Sequence, residues 1–312
     1  MIRRLLILVV LTVLPACADV GLEPGEGFVD VTGGRVWYRI VGSGTATPVI
    51  LLHGGPGAPS YYLKPLEALA DERPVVFYDQ LGAGHSENPA DTSLWNLSRF
   101  VEELGQVREA LGLEEVHILG HSWGTMLAVE YMLERPEGVQ SLILASPALS
   151  VSRWSDDAEQ LLAALPDSVQ VIIREHEAAG TMDSSEYQGA VMEYYARYMS
   201  RSDPWTPDTD STFAQLNEEI YGQMWGPSEF TATGSLATFE RAEALSEIDL
   251  PILFTTGRYD EAVPETVEYY ASLAPDARLV ILENSAHLTM QDEPERYVEV
   301  VRNFLREVES RR

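Results

Sequence analysis

The sequence predicts an α/β protein: a mainly parallel sheet with helices on both faces and a helical cap inserted late in the chain. Three observations predict it. From residue 28 to 147, short apolar runs bounded by turn residues alternate with stretches of helical period. Between 148 and 246 the apolar runs stop, and helical stretches rich in Glu, Asp, Tyr and Trp follow one another. From 247 to 312 the strand–helix alternation returns. Alternation of this kind builds a parallel sheet covered on both sides. At 312 residues the chain suffices for one large α/β domain with an insertion.

The elements follow in order. Residues 28–31 and 35–41 flank Thr32-Gly33-Gly34, a hairpin signal. The run 49–52 ends in glycines and reads as a buried strand, 61–70 as a helix, and 75–78 as the next strand. In 97–111 apolar residues recur at 97, 100, 101, 104, 107 and 111, a helical spacing. Strand 116–119, helix 125–134 and strand 142–145 complete the first half. Within the insertion, helices are expected near 156–165, 168–179, 185–199 and 212–224. Strand 252–255, helix 265–273, strand 279–282 and helix 294–309 close the chain.

Composition excludes several functions. Forty-nine acidic residues face 21 basic ones, a net charge of −28, and Lys64 is the single lysine. Such a surface repels nucleic-acid phosphates and anionic lipid headgroups, so no nucleic-acid partner is expected. The single cysteine, Cys17, excludes an intramolecular disulfide and a cysteine-based zinc site. No metal, cofactor or phosphate-binding loop is suggested. No apolar stretch reaches 18 residues, so no ordinary spanning helix is expected.

Residues 1–17 read as an export signal: Met-Ile-Arg-Arg, a ten-residue apolar run over 5–14, then Pro15-Ala16-Cys17. Leu14-Pro15-Ala16-Cys17 resembles a bacterial lipobox, which implies lipidation of Cys17 and a place in the cell envelope or periplasm. A plain secretory leader with an incidental cysteine is the other reading. Residues 18–27, rich in Gly, Pro and Glu, read as a tether. The division is therefore signal 1–17, tether 18–27, core 28–147 and 247–312, and cap 148–246.

Gly120-His121-Ser122-Trp123-Gly124 lies between a strand and a helix, the setting a nucleophile elbow requires. A serine nucleophile needs a base, and the base needs an orienting carboxylate. Two histidines lie downstream. His176 sits on a charged cap helix and is expected to be solvated; His287 follows strand 279–282, at the carboxyl edge of the sheet. The acid should end an intervening strand. After 252–255 comes Asp260, whereas after 142–145 come Ser146-Pro147 and no carboxylate, so Asp260 is chosen by elimination. The Trp123 N–H, and one from His53-Gly54-Gly55-Pro56-Gly57, are the candidate oxyanion donors.

His53-Gly54-Gly55-Pro56-Gly57, Asp79-Gln80-Leu81-Gly82-Ala83-Gly84-His85-Ser86 and the elbow together resemble the proline iminopeptidase family of the α/β-hydrolase fold. Trp225-Gly226-Pro227-Ser228-Glu229-Phe230, Gly257-Arg258-Tyr259-Asp260-Glu261 and Ser285-Ala286-His287 resemble the branch holding tricorn-interacting aminopeptidase and amino-acid amidases. The resemblance runs from about residue 28 to the end. It implies Ser122, Asp260 and His287 as triad, Gly54 and Trp123 as oxyanion donors, and Glu229 and Glu261 as ligands of a substrate's free α-amine. The substrate implied is a small peptide or amino-acid amide, proline-first by preference. An esterase, thioesterase, lactonase or carbon–carbon hydrolase on the same fold is the alternative. A non-enzymatic envelope lipoprotein is a third reading, against which the intact Ser, Asp and His set argues.

Overall fold

In the computed structural model residues 22–311 are described; the segment expected to be an export signal, Cys17 and the first part of the expected tether lie outside them. Eight strands form one sheet: β1 Gly25–Val31, β2 Gly34–Val41, β3 Val49–Leu52, β4 Val75–Tyr78, β5 Val116–His121, β6 Val139–Ala145, β7 Ile252–Gly257 and β8 Ala277–Leu282. Their order is β1-β2-β4-β3-β5-β6-β7-β8, and only the β2 pairings are antiparallel.

The short apolar runs are strands because both of their faces are buried. In β3, Ile50 and Leu52 enter one core and Val49 and Leu51 the other; in β4, Val76 and Tyr78 separate from Val75 and Phe77 in the same way. Helices α1 (Leu97–Ala110) and α2 (Trp123–Leu133) cover the first face, with α8 (Pro264–Leu273). The other face carries α10 (Pro294–Ser310), which buries Tyr297, Val301, Phe304 and Leu305, and follows the short α9 (Thr289–Asp292). Asn96 caps α1 by accepting from the Arg99 N–H at 3.0 Å. No helix among the described residues is long and apolar enough to cross a membrane.

The inserted segment folds as α3 (Val151–Ala163), α4 (Asp167–Ala179), α5 (Ser185–Tyr198), α6 (Pro207–Ala214) and α7 (Glu218–Met224). Three expectations need correction. The stretch 212–224 is two helices, because Asn217 caps α7, accepting from Glu219 and Ile220 N–H at 3.2 Å each. Asn217 also donates to the Gly82 carbonyl at 2.8 Å and from its own N–H to Gly57 at 3.0 Å, so the break fastens the cap to two loops of the core. The 61–70 helix is a run of 3₁₀ turns over Ser60–Asp71, with Pro65 inside it lacking the N–H an α-helix needs. Finally, β1 takes in Gly25–Gly27, the end of the expected tether, since Gly27 pairs with Tyr38 through backbone alone.

Candidate active site

The elbow is built where β5 meets α2. Ser122 sits at φ 52°, ψ −119°, a strained backbone that L-residues rarely adopt. Two glycines make the turn possible. A Cβ at Gly120 would stand 2.3 Å from the Gly124 carbonyl oxygen, and one at Gly124 would stand 2.2 Å from that of Leu52. The result lifts Ser122 to the wall of a cavity it shares with Gly54, Gly55, Tyr62, Glu229 and His287.

The β7 and β8 ends supply the partners. His287 Nδ1 donates to Asp260 Oδ1 at 2.7 Å. Asp260 also accepts from Ser146 Oγ at 2.7 Å, Thr256 Oγ1 at 3.0 Å, and the N–H groups of Gly257 and Ala262 at 3.2 and 2.8 Å. Burial alone would raise its pKa. The His287 charge and these donors outweigh burial and hold it below the ordinary carboxylate value. Ser146 thus occupies the position set aside for lacking a carboxylate, and serves the carboxylate that stands elsewhere. The cap holds His287 from the other side: its N–H donates to the Tyr198 carbonyl at 3.0 Å, at the end of α5. The other candidate histidine, His176, is not freely solvated. Its Nδ1 engages Thr181 Oγ1 at 2.7 Å and Ser184 Oγ at 3.1 Å, a cap at the end of α4.

The oxyanion loop corrects one assignment. The Gly54 N–H donates to Tyr62 Oη at 2.7 Å, so it is already committed. Gly55, at φ 110°, lines the cavity with Ser122, and its N–H has no hydrogen-bond partner among the described residues. Tyr62 in turn meets His121 Nδ1 at 2.9 Å, and His121 Nε2 meets the His287 carbonyl at 3.0 Å. A carbonyl only accepts, so His121 carries its proton on Nε2 and Tyr62 donates to Nδ1. Burial, with His287 beside it, pushes the His121 pKa down to about 3, so this ring stays neutral. One directed chain therefore runs from the oxyanion loop to the backbone of His287. A second clamp explains the Asp79-Gln80 motif. The Gln80 N–H donates to His53 Nε2 at 2.9 Å, its side-chain Nε2 donates to the His53 carbonyl at 3.2 Å, and its side-chain Oε1 accepts from Trp123 Nε1 at 2.8 Å.

Glu261 follows Asp260 directly and is 2% exposed, with Oε1 3.6 Å from His287 Nε2. Its Oε2 has no hydrogen-bond partner among the described residues. Burial, then the charges of Glu229 and Asp260, raise its pKa well above the ordinary value. Glu229 lies in the loop after α7, partly exposed on the cavity wall but enclosed by the cap. Burial raises its pKa too, against the Tyr221 hydroxyl and His287. The Glu229 carbonyl accepts from Trp154 Nε1 at 3.2 Å, and Trp154 packs edge-on to His287. On either side of Glu229, Ser228 Oγ and Thr231 Oγ1 both donate to the Glu177 carboxylate of α4, at 2.5 and 3.0 Å. Sequence reasoning missed Tyr62, His121, Ser146, Trp154 and Glu177. Of these only His121 carried a signal, its place inside the elbow motif.

A family model described as the alpha/beta hydrolase fold matches residues 47–294. The proline iminopeptidase of Heyndrickxia coagulans is 49% identical over 287 residues, covering 91% of this chain and 99% of that one. This chain belongs to the proline iminopeptidase family of α/β-hydrolases. Among solved structures, the proline iminopeptidase of Mycobacterium smegmatis superposes with a TM-score of 0.84 at 33% identity, covering 91% of this chain and 98% of that one. VinJ superposes with a TM-score of 0.88 at 36% identity, covering 92% of this chain and all of its own.

Proposed function

We propose that the protein is a serine aminopeptidase that releases an N-terminal residue, proline by preference, from small peptides or amino-acid amides. Ser122 attacks the scissile carbonyl while His287 Nε2 takes its proton. The Nδ1–H bond to Asp260 fixes the tautomer and stabilises the imidazolium that forms. The tetrahedral oxyanion is held by the N–H groups of Trp123 and Gly55; Gly55 replaces Gly54 because the Gly54 N–H is bound to Tyr62. His287 then protonates the leaving amine, and water cleaves the acyl-enzyme by the same route in reverse.

The observation that carries the reading is a pair of acids, Glu229 on the cavity wall and Glu261 buried behind it against His287. Glu261, enclosed beside His287 with an unpartnered oxygen, and Glu229 on the wall make a site that attracts a cation. A substrate ammonium satisfies both carboxylates and leaves only a residue with a free amine able to set its carbonyl over Ser122. An ester without an amine gives these carboxylates nothing. A panel of aminoacyl-nitroanilides and p-nitrophenyl esters tests this: prolyl-nitroanilide should lead, and amine-free esters should trail. A flat panel, or one led by esters, defeats it.

We also infer that the mature chain is exported and anchored at the cell envelope by lipid on Cys17, on the support of the 1–17 pattern. Mass spectrometry of the mature amino terminus decides it. A terminus that is unmodified, or that begins elsewhere, refutes the anchor.

A further inference from the structure

The cavity around Ser122 is small, about 60 Å³. A second chamber of about 510 Å³ adjoins it in the cap, and Phe213, Leu216, Tyr221 and Glu229 line both. The chamber has an aromatic wall. Trp205 and Phe213 have ring centroids 4.8 Å apart, with Tyr195 5.6 Å from Phe213. Met192, 47% exposed, lies on the same lining. Its charged lining residues are all acidic: Asp183, Glu218 and Glu229. Among the described residues, neither cavity is lined by an arginine or lysine.

We infer that this chamber is the leaving-group subsite, and that it selects an uncharged, apolar leaving group against one bearing a nearby carboxylate. The inference rests on the free-amine reading and adds the other half of the specificity. In an exopeptidase the α-amine ends the substrate, and the first side chain need only fill the small cavity. A cavity of that size holds a few water-sized groups, enough for one small side chain. The part of the substrate with length is the portion after the scissile bond, and among the described residues the chamber is a space beside the cavity large enough to take it.

Charge then decides what enters. In a free dipeptide the terminal carboxylate lies within one residue of the scissile bond, about 3.5 Å of chain. It would face a chamber whose other charged residues, Asp183 and Glu218, are acidic and whose lining holds no cation, Glu229 being taken by the substrate's ammonium, and like charges brought together in a partly desolvated site are strongly disfavoured. An amide at that position removes the repulsion. A longer peptide carries its carboxylate outward by about 3.5 Å per residue and escapes it. The aromatic wall favours a flat or aliphatic group directly after the bond.

Two substrates that differ in one group test this: prolyl-phenylalanine and prolyl-phenylalaninamide. The amide should exceed the acid in kcat/KM by about tenfold or more at low salt. Met192→Lys places a cation on the chamber wall at an exposed position that tolerates it, and should narrow that ratio by raising cleavage of the acid. Asp183→Asn with Glu218→Gln should narrow it too. Trp205→Ala should remove the preference of phenylalaninamide over glycinamide as leaving group; should that variant fail to fold, Phe213→Leu asks the same question. Equal rates for acid and amide, or a ratio unmoved by Met192→Lys, overturn the inference. Phenyl acetate against 4-acetoxybenzoate repeats the charge test without any amine. If N-acetylated substrates are cleaved as well as free ones, the free-amine reading falls, and this ester pair alone decides the chamber: faster phenyl acetate supports it, equal rates overturn it.

Discussion

Glu261→Gln should move stability and activity in opposite directions. Glu261 is 2% exposed, and one of its oxygens has no partner among the described residues. Burial and the neighbouring acids hold its pKa well above 4.5, so the folded state binds the proton more tightly than the unfolded chain. Its contribution to stability is thus fully present below the unfolded value and is lost as pH rises through the folded one. At neutral pH and above, the wild type carries this penalty, and the neutral isostere removes it. Gln stays buried and polar there, so what it relieves is the extra cost of the charge, on the order of 1–3 kcal/mol. A chain of this size gains about 2–4 °C per kcal/mol, so Tm should rise by roughly 2–12 °C at pH 8. The gain should vanish near pH 4. Activity should fall instead. Removing one partner of a desolvated charge pair costs about 2–5 kcal/mol, or about 30- to 4,000-fold in kcat/KM for prolyl-nitroanilide. Hydrolysis of p-nitrophenyl acetate, which has no ammonium, should stay within about twofold. Thermal melts across pH and the two kinetic assays read all of this. A lower Tm at pH 8, or an equal loss on both substrates, would refute the reasoning.

Three further outcomes are expected. Ser122→Ala and His287→Ala should each reduce kcat by about 10⁴- to 10⁶-fold on every substrate, without additivity in the double variant, because the members act as a unit; retained turnover in either removes the mechanism. Tyr62→Phe leaves the Gly54 N–H and His121 Nδ1 unpaired. It should slow ester and amide alike, by up to about 100-fold for a shift of about 1 Å in the oxyanion loop. An effect confined to free-amine substrates would contradict this account of Tyr62. Ser146→Ala removes one of five groups that donate to Asp260. It should cost about 1 kcal/mol, less than tenfold in kcat; a loss as large as that of His287→Ala would mean that Ser146 holds the acid alone.

The sheet was legible because its strands are buried on both faces, which makes 49–52 and 75–78 continuous apolar runs. The elbow was legible because a Cβ at Gly120 or Gly124 would stand within 2.3 Å of a backbone oxygen, so the turn leaves its mark in the residues themselves. The acid and base were legible because chain order and strand ends confine them to Asp260 and His287. What could not be read arises from contacts between distant segments. Gly54 and Gly55 are the same residue in sequence terms; only Tyr62 Oη, delivered by another element, tells which N–H is occupied. Ser146 and Glu177 look like ordinary turn and surface residues until Asp260 and the Glu229 loop arrive against them. The helix break at Asn217 depends on the carbonyls of Gly82 and Gly57, more than 130 residues away, which accept from its side chain and its N–H and which no local pattern records.

The central claim is that a free amine, held by Glu229 and Glu261, sets the register of cleavage. The most direct measurement is kcat/KM for prolyl-nitroanilide against N-acetylprolyl-nitroanilide on the wild-type protein. The account predicts that the free substrate is cleaved and the acetylated one is slower by about 100-fold or more, the loss expected when a desolvated charge pair goes unmade. Equal rates on the two would contradict it.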